Sequence, residues 1–470
     1  MTLLDPHAIN GDDRCTLDMA MLGGKAAQVT GSGAGRNHGS IDRAGIIMSN
    51  DTAGGSAYRY RLLRTAQSIL AKAGLTWKEQ HRTCWCSRSI LYGDEGSGAL
   101  GYVGFYRNEK RTNSSMRGLQ RCGKLHTCPI CAAKVAELRR KQLSAAMVRH
   151  IENGKTPAQK KNQTPGKTTA YLITQTFSHT ADESLKELQD KFSKARAKFQ
   201  NSRQWKSFRK NHGVVGCVNS FEHTVSVENG WHPHVHMLVF CDSQAFDEGA
   251  PAENGDLNSP AIKELSDLWV KFLLECDLGS KQKENDMKLH AFNVRGGEKA
   301  AEYIAKFGHD ERWGASSEIT QAHAKIGSAG ERDGVMHFTP FQLLVWAEQG
   351  DGWAIHRFRE FADEVDGKRA LTWSPGLKEK LGVLDVDEDE WAKRDDNQPE
   401  QIYVGELTAE QFSIVQSRKR VDELLEYVAT CADSTGDLVE FVDSLRTLPP
   451  VASGALLIKR KEGRAVAFVT

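Results

Sequence analysis

At 470 residues, with 39% hydrophobic and 26% charged residues, the chain has room for two or three folded units and the make-up of an ordinary soluble protein. No apolar run approaches the ~20 residues of a membrane helix. The N-terminus lacks a basic stretch followed by an apolar core, so a cytoplasmic location is expected. The formal net charge of +1 conceals an asymmetry: residues 101–210 hold 24 Lys and Arg against 7 Asp and Glu, whereas residues 381–470 hold 10 against 18. A basic segment in a neutral chain is a candidate polyanion-binding surface; a set of solvated helix faces is the alternative. Ten cysteines in such a chain favour metal ligands or free thiols over disulfides.

Residues 1–57 are rich in Gly, Ser, Ala and Asn without a sustained apolar period, and are expected to be disordered. The first helix is predicted over 58–75, with Leu62, Leu63, Ala66, Ile69 and Leu70 on one side. A cysteine-rich region follows within 58–151. Cys128-Pro-Ile-Cys131 has the spacing of a zinc half-site, Cys122 is a plausible third ligand, and Cys86, Cys84 and His126 compete for the fourth place, with Cys86 preferred. A basic helix over 132–151 then presents Arg139, Arg140 and Lys141, candidates for contact with DNA phosphates. Residues 152–167 read as a linker.

Strand and helix signals then alternate: strand 168–177, amphipathic helix 182–208, strand 213–227, a second strand to 240, a loop over 242–259, a helix from Pro260, strand 288–295 and helix 298–307. That order predicts an α+β domain over 168–310, with a central antiparallel β-sheet and flanking helices. Residues 311–470 are expected to form a mainly helical region of unassigned role. They include helices near 339–349 and 352–365, an acidic linker or capped helix at 385–400, and a terminal hairpin at 454–470.

The most informative stretch is Glu228–Phe240, ENGWHPHVHMLVF. On a strand, His234 and His236 share a face, and two imidazoles side by side suit a divalent ion; His232 has the same parity and is a secondary candidate. A three-residue loop, Glu228–Gly230, sets Glu222 of the neighbouring strand opposite His236, whereas a two-residue Asn229-Gly230 loop sets His223 there, because a one-residue slip exchanges faces. Glu222 is preferred, since a carboxylate suits the hard ions Mg²⁺ and Mn²⁺. Tyr303 and Lys306 fall three residues apart on the predicted 298–307 helix, so they share a face. A phenol becomes an effective nucleophile toward a phosphodiester that a cation polarises.

His234-Val235-His236 within Trp231–His236 resembles the His-hydrophobic-His motif of the HUH endonucleases, especially the single-tyrosine rolling-circle replication initiators of small bacterial plasmids. Tyr303-Ile304-Ala305-Lys306 is similar to their Tyr-x-x-Lys motif, residues 172–177 to their first, strand-borne motif, and Cys122, Cys128 and Cys131 to an upstream cysteine cluster. The resemblance covers about residues 84–310. It implies an HUH-like sheet, origin DNA as partner together with host helicase and polymerase, Mg²⁺ or Mn²⁺ at the His pair, and structural Zn²⁺ at the cysteines. It implies Tyr303 as the nicking nucleophile and Lys306 beside it. Similar initiators place a terminating glutamate four residues before the tyrosine. Lys299 stands there in this chain, so Glu298 is the nearest candidate base, its alternative being a helix N-terminal charge. A transposase or relaxase, or a non-catalytic zinc-containing DNA-binding protein, is the competing reading.

Overall fold

The computed structural model describes residues 55–76, 78–91, 101–162, 168–243, 258–296, 330–332, 335–393, 401–451, 456–461 and 464–469. In chain order these form α1 (Ser56–Leu70), β1 (Val103–Asn108), β2 (Ser114–Arg117), α2 (Pro129–Asn153), β3 (Thr169–Gln175), α3 (Leu185–Asn201), α4 (Arg203–Asn211), β4 (Val214–Ser226) and β5 (Gly230–Cys241). They continue as α5 (Pro260–Leu274), α6 (Glu284–His290), β6 (Phe292–Arg295), β7 (Gly330–Arg332), β8 (Val335–His337), α7 (Pro340–Ala347), α8 (Gly352–Val365) and β9 (Leu371–Trp373). The last elements are α9 (Glu388–Lys393), β10 (Gln401–Leu407), α10 (Ala409–Ser417), α11 (Val421–Thr430), α12 (Thr435–Arg446), β11 (Leu456–Lys461) and β12 (Arg464–Val469), the last two paired as a hairpin. Among the described residues no helix is long and apolar enough to cross a membrane.

The larger sheet has the order β6-β3-β5-β4-β9, and every pairing in it is antiparallel. Strand alternation sends Trp231, Val235, Met237 and Val239 of β5 to one face, where α3, α5 and α8 cover them. The sequence of α3 explains its fit. Ser184 and Glu187 form a capping box, and Leu185, Leu188, Phe192, Ala195 and Phe199 recur at helical spacing on the buried side. Trp231 is fully buried and stacks on Phe361 of α8 with ring centroids 6.0 Å apart. On the opposite face, Leu172, Val218, Leu238 and Phe240 meet Leu143, Ala146 and Met147 of α2. That cover lies toward the end of β5 far from the β4–β5 turn. The near end of this face carries polar residues.

A second sheet, β10-β1-β2, packs with α1, the start of α2 and the helices α10 to α12 around its own core. Two helices belong to both cores. In α1, Leu62, Ala66 and Ile69 face the larger sheet while Tyr60 and Leu63 face the smaller. In α2, Ile130 and Val135 serve the smaller core, and Leu143, Ala146 and Met147 the larger.

Several sequence expectations change. Among the described residues after 310, β9 extends the larger sheet and β10 the smaller, through pairings that no local pattern records. The expected strand 288–295 is strand only from Phe292. The preceding residues close α6, whose Glu284 and Lys288 pair at i,i+4 and whose Met287 is buried. The expected linker 152–167 is partly helical, since α2 runs to Asn153 and Pro157–Lys161 forms a turn capped by Thr156. Residues 1–54 and the 298–307 helix lie outside the described residues.

Arg139 is not a free phosphate contact. Its Nε and Nη2 donate to the two carboxylate oxygens of Glu388, each at 2.6 Å, and its side chain is 3% exposed against 31% for Glu388. Lys141 is exposed and pairs with Glu137 one turn back, while the Arg140 side chain lies outside the described residues. The unequal burial of Arg139 and Glu388 predicts unequal costs. Glu388→Ala strands a buried guanidinium and should lose roughly 2–3 kcal/mol, whereas Arg139→Met leaves a partly solvated carboxylate and should lose about 1 kcal/mol. Urea unfolding of the two variants checks the order; equal losses would contradict it.

Candidate metal centre

The site on the larger sheet begins with the β4–β5 register. Ser226 pairs with Gly230, so the loop is Val227-Glu228-Asn229, and Glu222 lies directly opposite His234 while Ser220 lies opposite His236. Gly230 takes φ +72°, and a Cβ there would stand 3.0 Å from the Ala181 backbone, so the turn requires glycine on both counts. An odd loop gives Glu222 the same face as the two histidines. The pairing differs from the sequence expectation, in which a three-residue loop set Glu222 opposite His236.

Glu222 Oε2 is 3.1 Å from His234 Nε2 and 3.6 Å from His236 Nε2. One atom from each residue falls within 4.8 Å of the others. The rings are aimed by their second nitrogens: His234 Nδ1 donates to the His232 carbonyl at 3.3 Å, and His236 Nδ1 pairs with Thr174 Oγ1 at 2.9 Å. Both arrangements turn Nε2 toward the Glu222 carboxylate. Burial opposes ionisation of Glu222, but His236 and then His234 more than reverse this and hold its carboxyl well below the usual carboxylate range. Its Oε1 is buried with no hydrogen-bond partner. A buried carboxylate with one orphaned oxygen, facing two aimed imidazoles, fits a divalent cation better than it fits an unliganded interior.

The other candidates separate cleanly. His223 points to the opposite face, where its Nε2 accepts from Gln189 Nε2 at 2.8 Å, its ring meets Phe361, and burial pushes its pKa down to about 3. It cannot replace Glu222. His232 sits beside the set but is engaged at 2.7 Å with Thr176 Oγ1. Glu298, Tyr303 and Lys306 lie outside the described residues. Tyr171, another tyrosine of this domain, is fully buried in the core.

A second ligand set joins Cys86, Cys122, Cys128 and Cys131, all buried. Cys86 follows a short 3₁₀ turn, Cys128 caps α2 and Cys131 lies in its first turn. The Sγ of Cys131 is 3.7 Å from those of both Cys86 and Cys122, and Cys86 Sγ is 3.4 Å from Cys128 Sγ. Hydrogen bonds from Cys122, Cys128 and Cys131 hold the Cys86 thiol well below its usual range, whereas burial pushes Cys122 and Cys128 up. Four thiols converging this closely suit a tetrahedral soft-ligand ion. The alternatives fall away: Cys84 turns its thiol toward the Gln67 carbonyl, and burial pushes its pKa up to about 11, while His126 Nε2 contacts the Lys368 carbonyl at 3.0 Å.

Two outcomes follow. Mn²⁺ should raise the melting temperature of the wild type and of His223→Ala but not of Glu222→Ala, because only the last loses a ligand. The same increment in all three would contradict the assigned faces. In metal analysis, Cys84→Ser should keep the bound zinc of the wild type and Cys128→Ser should lose it; loss in Cys84→Ser would contradict the ligand set.

Residues 115–251 match the family model described as replication protein. That segment contains Cys122, Cys128 and Cys131 and all of Glu222, His234 and His236, but not Cys86. The chain is 24% identical over 320 residues to Protein rep of Streptomyces lividans, covering 57% of this chain and 65% of that protein. It is 26% identical over 147 residues to a protein of Streptomyces cyanogenus described as neomycin resistance protein, covering 26% of this chain and 30% of the relative. The chain thus spans less than two thirds of either relative. No solved structure matches it. The segment similar to the replication-protein model thus supplies three of the four clustered cysteines and the whole carboxylate–imidazole set.

Proposed function

We propose that the protein is a rolling-circle replication initiator of the HUH type, which binds a double-strand origin and nicks one DNA strand through Tyr303. The observation that carries this reading is the Glu222–His234–His236 set at the polar end of the larger sheet, inside the segment that matches the replication-protein model. The roles of Tyr303, Lys306 and Glu298 rest on the sequence motif alone.

In this reading the Tyr303 phenol loses its proton and its oxygen attacks the scissile phosphorus. The bond from phosphorus to the 3′ oxygen breaks, and that oxygen takes up a proton to become the primer hydroxyl. One phosphate ester replaces another, so the 5′-phosphotyrosine link retains the energy needed for rejoining. A phenol with a pKa of ~10 is a weak nucleophile at neutral pH. Glu222, His234 and His236 would hold Mg²⁺ or Mn²⁺, which when bound supplies Lewis-acid polarisation of the phosphodiester. Thr174 keeps His236 turned toward the site, and the His232 carbonyl does the same for His234. Lys306, three residues after Tyr303 in the sequence, balances negative charge on the phosphate or phenolate. Glu298 accepts the proton of the attacking water at termination. The four cysteines hold structural zinc beside the start of α2. Host helicase and polymerase act on the primer, in the cytoplasm.

The test is a denaturing gel of the protein incubated with Mn²⁺ and single-stranded candidate-origin DNA. Wild type should form a covalent adduct that Tyr303→Phe abolishes, and His236→Ala should slow it by at least about a hundredfold. An adduct that persists in Tyr303→Phe overturns the assignment of the nucleophile. No adduct from the wild type with either ion would favour a non-catalytic DNA-binding protein.

A further inference from the structure

The smaller sheet turns one face to its core; on the other, Tyr403 is exposed and Tyr102 and Tyr106 are half-buried. Val103 and Phe105 of β1 enter the core with Val404 and Leu407 of β10. Alternation puts Tyr102, Gly104 and Tyr106 on the outer face. An irregularity between Phe105 and Tyr106 sets Tyr106 opposite Tyr403, and the two rings meet edge to face with centroids 5.4 Å apart. The tyrosines lie across Gly104: a Cβ there would stand 3.2 Å from the Tyr106 ring and 3.7 Å from that of Tyr102. Arg117, opposite Gly104 on β2, places its guanidinium carbon 3.9 Å from the Tyr106 ring centroid. Gln401 Oε1 accepts from Ser115 Oγ and Arg117 Nη2, each at 3.0 Å, and the Tyr403 hydroxyl donates to Glu406 at 2.8 Å. Tyr403 is 48% exposed and its neighbour Ile402 is 40% exposed.

We propose that this face is a stacking platform for the bases of single-stranded DNA, separate from the metal centre. Three features favour that occupant. The rings are all tyrosines, which offer flat π-faces on a rigid strand, and base stacking on such rings is sequence-tolerant. Gln401, held by Ser115 and the buried Arg117, borders them with a half-buried side-chain amide, a group that can pair with base edges. The β1–β2 hairpin is also basic: residues 107–117 carry Arg107, Lys110, Arg111 and Arg117 against Glu109 alone. Arg107 and Arg111 both bind Asp433, and Glu406 is the acidic group of the face, so the net excess over the hairpin remains positive and complements a polyanion. Glycine at position 104 is explained by the same arrangement, since a side chain there would lift the rings off the sheet. The platform does not depend on nicking chemistry.

Fluorescence anisotropy of the full chain without added divalent ions tests it, with a labelled oligothymidylate and an abasic oligomer of the same length as probes. Wild type should bind the oligothymidylate at least about tenfold more tightly. Tyr403→Ala should lose roughly tenfold in affinity for the oligothymidylate and nothing for the abasic strand, while Tyr403→Phe, which keeps the ring, binds like wild type. The proposal is overturned if wild type does not distinguish the two probes, if Tyr403→Ala binds both as wild type does, or if Tyr403→Phe falls as far as Tyr403→Ala. A self-association that Tyr403→Ala abolishes, without base-dependent binding, would assign the face to a second copy of the chain and overturn it equally.

Discussion

The pairing of Glu222 with His234 across β4 and β5 is the constraint on which the candidate centre depends. Strand side chains alternate, so a slip of one residue would bring His223 to the metal face and bury Glu222 among aromatic rings. The register is held from the other side of the sheet. Trp231, Val235, Met237 and Val239 are fully or almost fully buried beneath α3, α5 and α8. Any one-residue shift would expose that apolar set and bury the histidines. The hydrophobic core therefore positions the ligands from the other face of the sheet.

Much of this was legible in the chain, and what was missed has physical causes. The His pair, the strands around it and the Cys128–Cys131 knuckle stand out because their residue types and spacings are local. The third ligand was open because Asn229-Gly230 reads as a turn of either length. In the fold Gly230 is the first paired residue of β5, and the loop lies just before it. The fourth cysteine was open because Cys84 and Cys86 flank a single tryptophan. The backbone turns the first toward Gln67 and the second into the cluster. Arg139 reads as one of several helix cations, and its partner Glu388 is 249 residues away. The tyrosine face of the smaller sheet was hidden for the same reason, since Tyr106 and Tyr403 meet only after β10 crosses to β1.

The two sheets are tied together by α1 and α2, which contribute to both cores. Cys86, Cys128 and Cys131 lie in the same buried cluster as Phe105, Leu407, Phe412 and Leu424, so an ion held there would organise the core of the smaller unit. α2 begins at this cluster and ends against the larger sheet, where His150 Nε2 lies 3.1 Å from the Thr169 carbonyl and 3.0 Å from that of Cys241. One helix thus connects the cysteine set to the strands that carry the carboxylate–imidazole set. The latter set is costly without an ion, because Glu222 keeps a buried oxygen unpaired. Such a cost is expected where a site is built for chemistry and its stability is supplied by the packing behind it.

The central claim is that Glu222, His234 and His236 together hold a divalent ion. Pulsed electron paramagnetic resonance of the Mn²⁺-loaded protein reads the ligands directly. The account predicts coupling to two imidazole nitrogens that weakens to one in His234→Ala or His236→Ala and stays at two in His223→Ala. Couplings to water protons alone, or a nitrogen signal that survives loss of both histidines, would contradict it.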